Sequence, residues 1–387
     1  MKKKICVVVN NRANYARIKS LLIEITKIKK FDLNILLGAS AILTRFGNVD
    51  KIIKSDGLKI SGKIYSIVEG ENLATMSKST GLAIIETTTY FENIRPDVVI
   101  VIADRFENLS VAIAASYLNI PLIHIQGGEV TGSIDEKVRH AITKLSDIHF
   151  VSNSRAKKFL INMGENKEKI FITGCPSIDL VKGNTKSLDK NFFIRNMGIG
   201  NTPSFNEKYM VFLQHPETTK FDSVKAQINE TIRTAKSFNK IKIVWLWPNI
   251  DAGSDIISKE LRKIREKDGF KNISFHKNFS PEDYIRLIYN SKCLVGNSSS
   301  GIREASFLGI PVVNIGTRQK DRERSNNIID VPYKYQKIRK AINKQLEKKK
   351  YLKSSLYGNG IAGKKISKIL NKLLINKIST EKRLNYL

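Results

Sequence analysis

Cysteine is scarce in this chain of 387 residues. The three cysteines, Cys6, Cys175 and Cys293, lie far apart and form no CxxC pair. Neither a disulfide framework nor a structural zinc site is supported, because both need paired or clustered cysteines. This cysteine usage predicts a reducing, cytoplasmic location.

Long hydrophobic runs are also missing. The basic start MKKKICVVVNN resembles the head of a signal peptide, but its apolar run stops at Asn10, short of the roughly 7–15 residues of a signal core. No segment approaches the roughly 20 apolar residues of a membrane span. The sequence therefore predicts neither a secretory leader nor a membrane partner.

Acidic residues are few relative to basic ones. Lysine and arginine total 66 against 36 acids, which gives a net charge of +30 and favours anionic partners. The excess is spread along the chain without zinc-finger spacing or an RNP-type aromatic motif, so we do not expect a nucleic-acid partner. The hydrophobic fraction of 41% and charged fraction of 26% are typical of a globular protein with room for two or three domains.

Short apolar runs alternate with helical periodicity, as at 109–118, which predicts an α/β fold with parallel sheets. The predicted strands are 7–9, 32–37, 98–102, 122–125, 149–151 and 170–173, then 210–213, 241–246, 273–275, 294–295 and 312–315. A polar segment, 176–208, is predicted to connect two such domains. We expect an N-terminal domain at 1–180, a C-terminal domain at 181–360, and a final helix in 361–387 that packs back on the first. Ligands then bind in the cleft between them.

Residues 293–318, CLVGNSSSGIREASFLGIPVVNIGTR, are the most informative stretch. They predict a strand, a turn of small residues, a helix that continues through Leu308, and another strand. Ser298, Ser299, Ser300 and Gly301 let backbone N–H groups approach a diphosphate at the helix N-terminus. Glu304 is placed to accept the hydroxyls of a ribose, and Arg318 adds a charge-assisted contact. A capped helix after a serine-rich turn is the plainer interpretation.

Further polar residues follow predicted strands and so fall at the same sheet edges. Arg12 and Arg17 follow the first strand, Asp104 and Arg105 the 98–102 strand, Glu129 a pair of glycines after 122–125, His215 the 210–213 strand, and Asn249 the 241–246 strand. Asp135 opens a predicted helix, where a cap explains it as well as catalysis. These groups predict chemistry at a nucleotide-linked sugar, and no His/Cys cluster accompanies them to hold a metal.

With these residues assembled, the chain resembles the hydrolysing UDP-N-acetylglucosamine 2-epimerases of bacterial sialic-acid synthesis and the epimerase half of the animal epimerase/kinase. The motifs are NRANY (11–15), ADRFE (103–107), HIQGGEVTGSIDEKVRHAITKL (124–145), GCPSIDL (174–180), HPETT (215–219), PNIDAGSD (248–255) and GNSSSGIRE to GTRQ (296–319). The resemblance implies a GT-B fold of two Rossmann-like domains, no cofactor or metal, and a homodimer or homotetramer.

Residue roles follow from the same resemblance. It implies acid/base work for Asp104, Glu129 and Asp135, with His215 also at the reacting centre. It implies UDP contacts for Arg12, Arg105, His215, Asn249, Phe279, Ser298, Ser299, Ser300, Gly301, Glu304 and Arg318. The animal enzyme has a serine contact where this chain has Ala16. The implied reaction releases UDP and ManNAc from UDP-GlcNAc through a 2-acetamidoglucal.

Four other functions stay open. A relative that acts on UDP-N,N'-diacetylbacillosamine in legionaminic-acid synthesis would differ in contacts to C4 and C6 of the sugar, from loops near 38–50 and 68–80. A non-hydrolysing epimerase is disfavoured by the HPETT, PNIDAGSD and GTRQ motifs. A GT-B glycosyltransferase would need an acceptor, and an RNA-binding protein is suggested by charge alone.

Overall fold

The computed structural model describes residues 2–44, 49–267, 272–375 and 378–385. Its N-terminal half is built on a parallel sheet of seven strands in the order β3-β2-β1-β4-β5-β6-β7. The strands are β1 (Lys3–Val9), β2 (Phe31–Leu37), β3 (Ile60–Lys63), β4 (Val98–Ile102), β5 (Leu122–Ile125), β6 (Ile148–Val151) and β7 (Ile170–Ile172). β4, β5 and β6 are buried throughout, as their continuous runs of branched apolar residues predict for a covered parallel sheet.

Helices cover both faces of this sheet. They are α1 (Arg12–Thr26), α2 (Val49–Ser55), α3 (Leu73–Ile94), α4 (Phe106–Tyr117), α5 (Asp135–Leu145), α6 (Ser154–Asn162) and α7 (Pro176–Gly183). α1 begins where the Asn11 side chain accepts from the backbone N–H of Asn14 at 2.9 Å, an N-cap. Its apolar residues recur at helical spacing and are buried in the core, so the sheet fixes which face of α1 turns inward.

The C-terminal half repeats this plan. Its sheet has the order β14-β13-β12-β9-β10-β11-β8, parallel except for the edge strand β8. The strands are β8 (Ile199–Gly200), β9 (Tyr209–Leu213), β10 (Lys242–Leu246), β11 (Ile273–His276), β12 (Leu294–Gly296), β13 (Val312–Ile315) and β14 (Ile328–Val331). The helices are α8 (Phe192–Arg195), α9 (Val224–Lys236), α10 (Ser254–Lys267), α11 (Pro281–Asn290), α12 (Ser299–Ile302), α13 (Glu304–Leu308), α14 (Tyr335–Leu346) and α15 (Ala362–Leu373).

The last helix, α15, returns to the N-terminal half. Ile366 and Leu370 are fully buried in the same apolar cluster as Ile18 and Leu22 of α1, and α15 packs on α1. The boundary proposed at residue 180 falls inside α7, which packs against α1 on one side and α11 and α13 on the other. Among the described residues, no helix is both long and apolar enough to cross a membrane.

The structure differs from the sequence predictions in three respects. The connection predicted at 176–208 is not irregular throughout, because Pro176 starts α7 and Phe192 and Phe193 bury their rings within the C-terminal core. The helix predicted from the serine turn to Leu308 is broken at Arg303, where φ is −100° and ψ is −74°. β3 and β14 were not predicted, because β3 is short and half exposed and β14 lacks a fully buried residue. The helices α2 and α3 were not predicted either.

Candidate active site

The strand ends of both halves meet around one cavity of about 90 Å³. Eight of the residues predicted to bind UDP line it: Arg12, His215, Asn249, Phe279, Ser298, Ser299, Ser300 and Glu304. Three others, Arg105, Gly301 and Arg318, are not among its lining residues. Ala16 and Arg17 of α1 also line the cavity.

The serine turn forms the polar end of this cavity. The Ser298 hydroxyl caps α12 by accepting from the backbone N–H of Ser300 at 3.3 Å. The Ser300 hydroxyl lies 2.5 Å from the Tyr284 hydroxyl, and Arg17 donates to Ser299 Oγ at 2.7 Å. Since α12 has only four residues, the anion-binding capacity comes from these local donors and not from a long helix dipole. The expected donors are therefore present, on a shorter helix than predicted.

His215 is held at the cavity wall by two backbone contacts. Its N–H donates to Asn297 Oδ1 at 2.7 Å, and its Nδ1 accepts from the backbone N–H of Asn249 at 3.2 Å. Burial, with the charge of Arg318 next, lowers the pKa of His215 to about 3. The imidazole is thus neutral near pH 7, with its proton on Nε2, where it can donate a hydrogen bond to an oxygen of a ligand.

Glu217 positions Arg318, a role that the sequence analysis missed. This fully buried carboxylate accepts from the backbone N–H of Thr317 at 2.6 Å and of Arg318 at 3.1 Å, and from the Tyr333 hydroxyl at 3.0 Å. Arg318 in turn places Nη2 3.5 Å from Asp135 Oδ2. The sequence did contain a signal for this role, since Glu217 lies in the HPETT motif.

Arg105 contacts protein groups from both halves. Its Nη1 lies 2.5 Å from Asp251 Oδ1, its Nη2 donates to the Ile250 carbonyl at 3.1 Å, and its Nε donates to Glu107 at 3.1 Å. All three partners are therefore acceptor groups of the protein itself, and these contacts hold the PNIDAGSD loop against the start of α4. The UDP contact predicted for Arg105 stays a prediction.

Asp104 is buried and Asp135 is half-buried, and the pKa values of these two carboxylates shift in opposite directions. Burial alone would raise the pKa of Asp104, but its ion pair with Arg139 and the nearby Arg322 hold that pKa far below its usual range. Burial, with the charge of Asp104 next, raises the pKa of Asp135. Environments that separate the pKa values of neighbouring acids are typical of acid/base sites. No group of His, Cys, Asp and Glu in the described ranges could hold a metal ion.

The backbone before these acids is unusual. Ala103, between β4 and Asp104, has a φ of 69°, and Gln126, directly after β5, has a φ of 70°. Left-handed conformations cost energy for residues other than glycine and cluster at functional sites. Gly128 has a φ of 73°, and a Cβ there would lie 2.3 Å from the Ala156 carbonyl oxygen, so only glycine permits the turn that presents Glu129.

Glu129 has both carboxylate oxygens occupied by protein donors. Oε1 accepts from Ser152 Oγ at 2.7 Å, while Oε2 pairs with Arg303 and lies 3.3 Å from Arg322 Nη2. Burial opposes ionisation, but Arg303 and Arg322 lower the pKa of Glu129 to about 2. The structure therefore shows Glu129 as an ionised carboxylate, and Arg303 and Arg322 as site residues that sequence reasoning did not single out.

Known proteins resemble the chain over most of its length. The family model described as UDP-N-acetylglucosamine 2-epimerase matches residues 23–371. The UDP-N,N'-diacetylbacillosamine 2-epimerase (hydrolyzing) of Legionella pneumophila is 36% identical over 371 residues, 96% of each chain. The GDP/UDP-N,N'-diacetylbacillosamine 2-epimerase (hydrolyzing) of Campylobacter jejuni is 32% identical over 334 residues, 85% of this chain and 84% of that protein.

The fold has close structural counterparts. The crystal structure of the UDP-GlcNAc 2-epimerase of Methanocaldococcus jannaschii, in complex with UDP-GlcNAc and UDP, superposes with a TM-score of 0.78 at 20% identity, covering 95% of this chain and 99% of that one. At this identity the likeness establishes the fold. The predicted GT-B architecture of two Rossmann-like units is confirmed.

Proposed function

Since the chain belongs to the UDP-N-acetylglucosamine 2-epimerase family, we propose that it is a hydrolysing 2-epimerase whose substrate is UDP-N,N'-diacetylbacillosamine. The observation that carries this substrate is the 36% identity to the Legionella enzyme of that name, over 96% of both chains. The Campylobacter relative, named for the same sugar, agrees. UDP-N-acetylglucosamine, the substrate first expected from the motifs, becomes the second candidate.

The cavity supports a UDP position in this proposal. The serine turn, Arg12 and the Nε2–H of His215 bind the diphosphate, because all three present donors at one end of the cavity. Glu304, whose Oε2 is buried without a hydrogen-bond partner, accepts the ribose hydroxyls. Phe279, stacked on His276 with ring centroids 5.1 Å apart, lies beside the base.

The carboxylates of the N-terminal half then act on the sugar. The C1–O bond breaks, its electron pair leaves with UDP, and loss of the C2 proton gives a glycal that keeps the 2-acetamido group, which is 2-acetamidoglucal when the substrate is UDP-GlcNAc. Water adds back at C1 while a proton returns to the opposite face of C2, which yields the free 2-epimer. Asp135, whose pKa is raised, is proposed to transfer a proton, and the ionised Asp104 to stabilise positive charge on the sugar ring. An acid/base role for Glu129 stays a prediction.

One experiment tests the function and ranks the two substrates. The protein is incubated without an acceptor, first with UDP-N,N'-diacetylbacillosamine and then with UDP-GlcNAc, and the products are identified by NMR. We expect UDP and a free 2-epimeric sugar, formed with higher kcat/KM from the diacetylated substrate. In D2O the product should carry deuterium at C2. Higher kcat/KM for UDP-GlcNAc would reverse the order, and unlabelled product would exclude proton abstraction.

The region that distinguishes the two sugars is only partly described. Sequence analysis assigned contacts to C4 and C6 to loops near 38–50 and 68–80, and residues 45–48 lie outside the described residues. Ser40, Glu69, Gly70 and Glu71 line a wide cleft next to Arg12 and Asn249. These loops remain the proposed site of sugar discrimination.

A further inference from the structure

We infer that Arg303 is a positioning residue of the proposed reaction, which holds the carboxylate of Glu129 and joins it to the segment that binds UDP. The inference rests on the proposed function and deepens it, since it concerns how UDP binding and sugar chemistry are joined. It starts from the break between α12 and α13, which interrupts an otherwise helical segment at this arginine.

The position of Arg303 connects two parts of the site. In sequence it lies between Ser300, at the polar end of the cavity, and Glu304, the proposed ribose ligand. In space its guanidinium leaves the C-terminal half and pairs with Glu129 Oε2, which belongs to the N-terminal half. The side chain is 2% exposed. A shift of the backbone at Arg303 would therefore move Ser300 and Glu304, which line the cavity, or the guanidinium that pairs with Glu129.

The arginines around Glu129 all favour its ionised form. Arg303 and Arg322 come from the C-terminal half, and Arg322 Nη2 also lies 3.9 Å from Asp104 Oδ2. Arg139 of α5 donates to the Glu129 backbone carbonyl at 2.5 Å and pairs with Asp104. The Tyr357 ring lies under the Arg303 guanidinium at 5.8 Å, and Cys175 lies near it in a neutral form, because burial raises its pKa.

The arginines around Glu129 keep its carboxylate ionised and hold it in one orientation. Ser152 of the N-terminal half holds Oε1, but both arginines that pair with Oε2 come from the C-terminal half, so Oε2 is paired only when the two halves are together. A buried ion pair is a weak source of stability compared with well-packed apolar residues. The charges at this contact are therefore better explained by a requirement for an ionised, oriented carboxylate beside the sugar than by adhesion of the halves.

A second contact between the halves provides a matched control. Lys19 of α1 pairs with Asp56 and with Glu282 of α11, so it also joins the N-terminal and C-terminal halves through an ion pair. Glu282 neither lines the cavity nor contacts Asp104, Glu129 or Asp135. Glu282→Gln removes a tie of the same kind without touching the site.

The test compares Arg303→Gln, Arg303→Lys and Glu282→Gln in the full chain. In Arg303→Gln we expect kcat to fall about 10²-fold, while the Kd for UDP, measured by calorimetry, stays within about threefold. Loss of Arg303 lets the pKa of Glu129 rise toward its ordinary 4.5, so the acid limb of the kcat profile should move to higher pH. Arg303→Lys should recover part of kcat, and Glu282→Gln should keep both kcat and the profile.

Several results would overturn the inference. One is Arg303→Gln with an unchanged kcat and pH profile; another is a loss of UDP affinity equal to its loss of kcat. Arg303→Lys no better than Arg303→Gln would also contradict a role for the charge. A stability cycle of Arg303→Gln, Glu129→Gln and the double variant needs no substrate, and its coupling should be clearly non-zero. If the wild type turns over neither sugar, the proposed function fails, while this cycle still decides whether the pair exists.

Discussion

The two halves of the molecule contribute different groups to the site. The C-terminal half presents hydroxyls, the neutral imidazole of His215 and aromatic rings to the cavity, and we call this side the binding wall. The N-terminal half carries the carboxylates of Asp104, Glu129 and Asp135, which lie outside the cavity lining and pair with arginines, and we call this side the reaction wall. Hydroxyls and a neutral imidazole need no ionic partner, whereas buried charges need fixed partners. Arg303 and Arg322 are where the two walls touch.

The largest effect should come from Asp135→Asn on the reaction wall. Asparagine keeps the shape of the side chain but cannot transfer a proton, so kcat should fall about 10²–10⁴-fold. The Kd for UDP should stay within about threefold, because the substitution leaves the proposed diphosphate contacts, the serine turn, Arg12 and His215, unchanged. UDP release by chromatography and calorimetry measure the two quantities. Asp189→Asn, at an exposed carboxylate paired with Arg195, is the control. A kcat within about tenfold of wild type would remove Asp135 from the mechanism.

The next effect concerns stability and pH. The folded-state pKa of Glu129 is depressed to about 2 from an ordinary 4.5, so its contribution is complete above pH 4.5 and is lost as pH falls toward 2. Glu129→Gln should lower the free energy of unfolding by on the order of 3 kcal/mol at pH 7. Urea unfolding at pH 7 and at pH 3 should show that difference shrink by more than half. A constant difference would mean that Glu129 is not ionised in the folded protein, while Glu92→Gln serves as an exposed control.

On the binding wall, Glu304→Gln should weaken UDP about tenfold, because a charge-assisted hydrogen bond to ribose is replaced by a neutral one. The value of kcat should change little. Comparison of UDP with 2'-deoxy-UDP sharpens the test, since the wild type should prefer UDP and the variant should lose most of that preference. Equal discrimination in both proteins would show that the carboxylate does not contact the ribose.

The sequence predicted more of the binding wall than of the reaction wall. Ser298, Ser299 and Glu304 lie in one contiguous motif, so strand and turn patterns were enough to place them together. The contacts of Glu129 come from Ser152, Arg303 and Arg322, which are distant in sequence. No local pattern encodes which arginine meets which acid, because that depends on how the two sheets approach each other.

The ends of the helices show the same difference between what local sequence signals predict and what distant contacts decide. The start of α5 at Asp135 agrees with the predicted helix, since an acidic first turn and apolar spacing are local signals. The break at Arg303 was not predicted, because Ile302, Arg303 and Glu304 have ordinary helical propensities. A tertiary contact to Glu129 accompanies the break, and tertiary context routinely overrides such propensities.

The smallest effect tests how finely the binding wall is tuned. Ala16 lines the cavity at the position where the resemblance to the animal epimerase implies a serine contact to UDP. In Ala16→Ser, a new hydroxyl on α1 should tighten UDP binding about fivefold, since a net hydrogen bond contributes about 1 kcal/mol. Ala13→Ser, at a second alanine that lines the same cavity, is the matched control and should leave the Kd unchanged. Weakening of UDP by more than tenfold in Ala16→Ser would mean that this wall selects a small side chain to make room for the ligand, so that tight packing, and not an absent hydroxyl, accounts for the alanine.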